Sequence, residues 1–442
     1  MATPLTPQPR LAAKGAAFAL LTAAIWPGPA VANAAPGGEL RLVHEARSPA
    51  STGPLAEANH LAPGIAPQLT SRSSAELEWR QRADARPGGL PLSLALNAQA
   101  RVQSDSGDPS GGANAEHGGL RVNELQLSAD MGAWQASAGK KVVGWDVGFG
   151  FRPNDVVQQE RRRSLLPVTQ QGRPLLMLEG YDADNALALV WVHPLQKRDD
   201  GAAPARGANE QALALRLYRR QGPLDIHGFA RQGDHTGTSL GAAMAWVAGD
   251  SLALHASVRR LRRHDGWVID ANAAGSSSGQ VLGANPWRQA TLGPASQWLV
   301  GGQWTGEWQQ SLMVEAWHDT TALSSADWRA WGTRNAALAA SPAPAAARAG
   351  NLAWQTSPLD SPNLHRDNLL IRLAWQPAGW QLSLDTVYTP ADHGRHDTAA
   401  VQWQGDRWRL NAAWRQAAGP TDALARQLPS RRTLALSAAC AF

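Results

Sequence analysis

The sequence predicts an all-β protein: a transmembrane antiparallel up-and-down β-barrel of about 18 strands, with 16 as the alternative. Three observations predict it. Apolar and polar residues alternate with period 2 over runs of roughly ten residues, the pattern of a strand with one apolar face. Short turns alternate strictly with long connections, as short periplasmic turns and long outer loops do in such barrels. Tryptophan, with 20 copies, gathers at the short-turn ends of the runs.

Bulk composition agrees. The 442 residues are 43% hydrophobic and 17% charged, with a mean hydropathy of -0.32, too polar for a bundle of membrane helices. Net charge is +5 and pI about 9.8, a balance that suits an anionic surface or solute. Arginine is spread along the chain without a nucleic-acid module, so no nucleic-acid partner is expected. The single cysteine, Cys440, excludes an internal disulfide.

Residues 1–34 read as a secretory signal peptide. Arg10 and Lys14 supply positive charge, residues 15–26 are apolar, and 30–32 or 32–34 offers a small-x-small cleavage pattern. Residues 35–442 then form one barrel domain. Leu40 and Leu42 alternate in 39–44, a first strand that climbs before 74–82 descends. A looser pair, 74–82 and 92–103, is followed by 120–130 and 134–143 across Met131-Gly132-Ala133. In 213–220 the leucines share one face and Arg216, Tyr218 and Arg220 the other; Gly222-Pro223 turns the chain into 224–231. The same unit recurs as 240–247 with 252–261, 297–304 with 308–318, 369–376 with 380–388, and 399–404 with 407–415.

The long connections fall near 104–119, 146–174, 195–210, 262–295 and 319–365. Within the last, the Ala-rich run 336–347 predicts a flexible or marginally helical stretch. Trp134, Trp308, Trp380 and Trp408 open strands just after short turns, and Trp246, Trp304 and Trp375 close strands just before them. Indole favours a membrane interface because its ring is apolar and its N–H polar, so these seven predict an aromatic girdle. The chain ends TLALSAACAF, with Leu434, Leu436, Ala438, Cys440 and Phe442 on one face. That ending resembles the C-terminal assembly signal of bacterial outer-membrane barrels. Outer-membrane lipid, lipopolysaccharide and the barrel assembly machinery are the partners this implies.

If leucine and tryptophan face lipid, the other faces line a lumen. Arginine at the lipid midplane costs about 2–4 kcal/mol, so arginines at strand centres must point inward. Candidates are Arg80, Arg82, Arg101, Arg216, Arg220, Arg231, Arg259, Arg372, Arg407, Arg409 and Arg415, against fewer acids: Glu76, Glu78, Glu124, Asp225, Glu315 and Asp385. Rings of arginine favour anions in pores. The same residues could instead neutralise one another across strands.

The stretch 144–163, GWDVGFGFRPNDVVQQERRR, sits in a long outer connection. Gly148-Phe149-Gly150 lacks the remaining glycines, lysine and Ser/Thr of a phosphate loop. The run Gly139-Lys140-Lys141-Val142-Val143-Gly144-Trp145, leading into Arg152-Pro153-Asn154-Asp155, is similar to a segment of alginate-export-type and related porin-like barrels. The resemblance implies passage of an anionic oligomer or small solute, with this loop folded into the barrel. Lys140, Lys141, Arg152, Asp155, Arg161, Arg162 and Arg163 are then constriction candidates. The charge run 160–163 could equally face lipopolysaccharide.

Two other classes remain open. An outer-membrane hydrolase needs a Ser–His or Asp–His arrangement; His193, His235, His264, His318, His365, His393 and His396 lie near strand ends or in loops, with His318-Asp319 and Asp392-His393 adjacent. Adjacent residues on a strand point oppositely, so only loop geometry could join them. No metal-ligand spacing stands out and no cofactor is expected. A non-conducting scaffold or adhesin would use the long loops for contacts.

Overall fold

The computed structural model describes residues 32–33, 36–66, 68–107, 115–159, 164–194, 209–270 and 279–442. The expected leader, 1–34, lies outside them except for Ala32–Asn33, which pairs with Ala83 and Asp84. Setting that two-residue strip aside from the 19-stranded sheet leaves eighteen strands. They are β1 (Gly37–Pro49), β2 (Leu69–Ala85), β3 (Leu92–Gly107), β4 (Ala115–Asp130), β5 (Trp134–Lys141), β6 (Arg173–Tyr181), β7 (Asn185–Val192), β8 (Ala212–Gln221) and β9 (Leu224–Gly233). The second half comprises β10 (Gly237–Val247), β11 (Leu252–Leu261), β12 (Ala295–Thr305), β13 (Gln310–Asp319), β14 (Asp367–Trp375), β15 (Trp380–Thr389), β16 (Gly394–Gln404), β17 (Trp408–Ala418) and β18 (Ser430–Ala441).

Each strand pairs antiparallel with the next, and β18 pairs with β1 from Glu39↔Ala441 to Pro49↔Ser430. Gly38 and Phe442 exchange two backbone hydrogen bonds of 3.1 Å at the seam. The sheet is therefore closed and has no free edge, the condition lipid imposes on strands. No helix among the described residues is long and apolar enough to cross a membrane.

The faces separate as the alternation requires. Leu40, Leu42, Leu94, Leu127, Leu213, Leu217, Leu240, Val258, Val300, Leu373, Leu384, Leu434 and Leu436 are exposed on the outside. The seven turn-end tryptophans are exposed there too, as is Trp79. Trp191, Trp298 and Trp414, exposed nearer the loop end, form a second girdle that the sequence reading did not separate. Trp308 lies in its turn rather than opening β13. Cys440 shares the outward register of Leu40 and Trp408, as a small apolar side chain. Leu384 stands at mid-strand and 59% exposed. Leu384→Arg is expected to cost about 2–4 kcal/mol in bilayer-embedded protein, read from urea unfolding in vesicles.

Two expectations need correction. Short turns do not alternate strictly with long loops: 234–236 and 390–393 join strands at the loop end as tightly as the turns opposite. At the second, Asp392 accepts from His365, Thr389 and the amides of Gly394 and Leu424. Burial works against its charge, but these donors outweigh it and hold the carboxyl below its ordinary range. The Ala-rich run is helical over 336–340 and 345–347, more than marginally: α2 (Ser325–Ala340) opens with a Ser324/Asp327 capping box and is followed by α3 (Ala345–Trp354).

These helices belong to an outer layer. α1 (Pro54–Leu61) packs on it through Ala58 against Leu338, Ala349 and Leu352. The hairpin His264–Ile269/Trp287–Leu292 brings Trp287 to Trp328, Trp331, Leu359 and Leu424. Connections from four places around the rim thus share two small apolar cores. Packed layers of this kind stabilise loops that have no sheet partner of their own.

Candidate functional site: an infolded loop inside the barrel

The connection between β5 and β6 folds inward over its described parts, 142–159 and 164–172. Its first lobe, 143–158, lies on the wall of β6 to β14. Val143, Trp145, Val156 and Val157 pack on Leu175, Met177, Val190, Ala214, Phe229 and Ala243, inward residues of β6 to β10. Burial of these side chains supplies the nonspecific attachment, at about 25 cal/mol per Å² of apolar surface.

Polar contacts fix the position. Glu315 of β13, fully buried, accepts from the amides of Phe149 (2.7 Å) and Gly150 (2.6 Å), and meets His255 Nε2 at 2.7 Å. A buried carboxylate must be paired or bonded, and here the loop backbone supplies the donors. Asn154, also fully buried, donates to Ser257 Oγ (2.9 Å) and to the carbonyls of Ala242 and Val258. Asp146 accepts from Ser257 Oγ at 2.9 Å and from the Asn154 amide. Arg259 donates to Pro153 O (3.0 Å) and to Ser239. Gly241 makes room: a Cβ there would stand 1.8 Å from Asn154 Oδ1. Phe151 stacks on Trp317 at 6.0 Å, and the Arg372 guanidinium lies 5.0 Å over the Phe149 ring.

The second lobe, 164–172, lies on the opposite wall. Leu166 packs on Ala413 of β17 and Ala435 of β18. Arg41 donates to Pro167 O (2.7 Å), Thr169 donates to Glu78 (3.1 Å), and the Gly172 amide reaches Asn123 O. Gln158 donates to Gln171 O at 2.8 Å and ties the lobes together. One connection therefore lines two sides of the same barrel interior.

The candidate residues divide by place. Lys141 points toward Glu179 (3.5 Å), Arg152 donates to Gly148 O within the loop, and buried Asp155 accepts from the Trp145 amide. Arg216 meets His227 and lies 5.5 Å over the Tyr218 ring. Arg231 and Glu210 form a buried pair near the loop end, joined by Thr236 and the His235 amide. Arg372 bonds Asp385, and Arg409 bonds both oxygens of Glu39. Lys140 stands apart. It is register-paired with outward Leu125, and its ammonium donates to Val122 O, so it sits on the outer face. The two lysines are neighbours on a strand, and neighbours point oppositely. Arg161, Arg162 and Arg163 lie outside the described residues.

Neutralisation is extensive: across strands Arg41 and Arg101 on Glu76 and Arg372 on Asp385, and along one strand Arg80 on Glu78. It is incomplete. Among the described residues, Arg121 bonds Gln99 and Asn123, Arg216 meets His227 and the Tyr218 ring, and neither has a carboxylate within ion-pair distance. The anchors Glu315, Asn154, Asp146 and His255 were not singled out as such in the sequence. Glu315 was legible only as an inward acid, since its ligands lie some 165 residues away.

The hydrolase constellations do not assemble as sequence adjacency suggested. His318 pairs with Asp367, while Asp319 turns to Gln297 and Asn363. Asp392 pairs with His365, and His393 meets Tyr388. His235 meets Asp265 and Thr291 through the same Nε2, whereas a relay needs the two ring nitrogens on different partners. His44 and Ser73 touch, but among the described residues no carboxylate meets the ring's other nitrogen. No group of three His, Cys, Asp or Glu side chains gathers to hold a metal among the described residues.

No protein-family model matches the sequence, and no curated protein matches it. Among solved structures, the chain is similar to a multiply substituted porin of Rhodopseudomonas blastica, at 11% identity and TM-score 0.43, covering 93% of this chain and 100% of that one. A triply substituted form of that porin gives 10% and 0.42 with the same coverage. A structure described by the asymmetric conductivity of engineered proteins gives 11% and 0.42, again with 93% and 100% covered. The closed barrel itself rests on the pairing of its own strands.

Proposed function

We propose that this chain is a porin-like channel of a bacterial outer membrane, narrowed by the infolded loop 142–172 and biased toward anionic solutes or oligosaccharides. The observation that carries the channel reading is that loop. It is bonded to opposite walls inside a closed barrel whose outside is an apolar belt between two tryptophan levels. The strand ends joined by short turns, together with the start of β1 and the end of β18, then face the periplasm, and the helical layer faces outward, toward lipopolysaccharide. The assembly machinery would recognise the Phe442 end.

The anionic bias draws on inward arginines whose partners are neutral. Among the described residues Arg121 and Arg216 have no carboxylate within ion-pair distance, and a guanidinium is charged at every physiological pH. The local resemblance of 139–155 to alginate-export-type barrels supports an anionic oligomer as one such solute, with Lys141 and Arg152 in the narrowed region. A planar bilayer holding the refolded protein under a KCl gradient tests the reading. A reversal potential toward the chloride equilibrium is expected. Absence of conductance overturns the channel, and a cation-selective potential overturns the anionic bias.

A further inference from the structure

A groove of about 720 Å³ lies on the outer face of β5 to β9, at the turn end. Trp134 walls one side, Leu217 and Ile226 the other, and Leu187 and Gly228 form its floor. The Trp134 ring fills the space over Gly180, where a Cβ would come within 2.7 Å of it. Over Gly228 the floor stays open.

Two opposite charges share this groove without pairing. Arg219 is exposed and on the outward face with Leu217, register-paired with Asn185 and Ile226. It makes no hydrogen bond or ion pair among the described residues. Asp182 lies in the turn beside it and accepts from the amides of Asp184 and Asn185 and from the Asn185 side chain. Those donors hold its carboxyl below the ordinary range, so it stays ionised. The level is that of the tryptophan girdle, where an arginine on the lipid side meets headgroups rather than acyl chains.

We propose that this groove holds a phospholipid with an ethanolamine headgroup, its phosphate on Arg219, its ammonium on Asp182, and an acyl chain along Leu187, Leu217 and Gly228. The assignment rests on the reading that the apolar belt faces a bilayer. A guanidinium matches phosphate geometry, and a primary ammonium carries three donors for a carboxylate. A quaternary choline group has none, and a glycerol headgroup leaves a net negative lipid facing Asp182 and Asp184. The Trp134 indole and the open floor supply contact for the chain.

The test uses the full chain refolded in detergent. Phosphatidylethanolamine, phosphatidylcholine and phosphatidylglycerol are added in turn, and retained lipid is counted by native mass spectrometry. One ethanolamine lipid is expected to be retained several-fold above the other two. Arg219→Ala should abolish retention of all three. Asp182→Asn, which keeps an acceptor for its turn, should remove the preference for ethanolamine over choline. No retained lipid, a preference for the glycerol lipid, or either variant behaving as wild type overturns the site. Insertion and conductance are measured in parallel in phosphatidylcholine bilayers. A chain that inserts and conducts but retains no ethanolamine lipid overturns only this site; one that enters no bilayer overturns the membrane reading.

Discussion

Excising residues 147–170 and joining the ends with a short glycine linker is expected to raise single-channel conductance several-fold. The loop occupies the interior through contacts that belong to it alone. The wall residues it covers, Leu299, Trp317 and Leu370 on one side and Ala413 and Ala435 on the other, already have all their backbone bonds within the sheet. Removing the loop thus opens the lumen without opening the barrel. Glu315→Ala is the milder form. It leaves the Phe149 and Gly150 amides and His255 without their common acceptor, at about 1–3 kcal/mol for each buried group left unpaired. Increased conductance with flickering between levels is the expected trace. Unchanged conductance in the excised form means that the loop does not set the narrowest point.

The second large effect concerns closure. Deleting residues 438–442 removes the pairs Glu39↔Ala441, Leu40↔Cys440, Arg41↔Ala439 and Leu42↔Ala438, and frees Gly38 from Phe442. The same deletion strips the start of β17 of Ala438, Ala439 and Cys440. Each freed amide or carbonyl costs several kcal/mol in hydrocarbon, where no water replaces the partner. The truncated chain is expected to fail to form the compact, heat-modifiable species on a cold SDS gel. Normal heat-modifiable mobility would show that closure does not depend on this segment.

Much of the barrel was legible in the sequence because a membrane strand writes its environment residue by residue. Leu213, Leu215 and Leu217 against Arg216 and Tyr218 is a local pattern, and so is a tryptophan next to a short turn. The outer layer was less legible. Helix α2 gains burial from Trp287 and Leu424 and α3 from Ala58, contributed by other connections, and no local period announces that. Lys140 shows the limit of composition: a basic pair suggested a constriction, but strand geometry sends only one of its two members inward.

The infolded loop lay between these extremes. Its glycines, aromatics and Arg-Pro-Asn-Asp marked an unusual connection. Where it would rest depended on Glu315, Ser257, Arg259 and Asn123, which lie on three different strands. The sequence by itself determined the strand faces, the turn-end girdle, the closing strand and the near count of strands, because alternation and interface preference act over a few residues. Only the tertiary structure decided that 142–159 and 164–172 lie inside, which arginines are neutralised, and which acid anchors the loop. Those outcomes depend on which side chains a closed barrel brings across its interior, and that distance is not written along the chain.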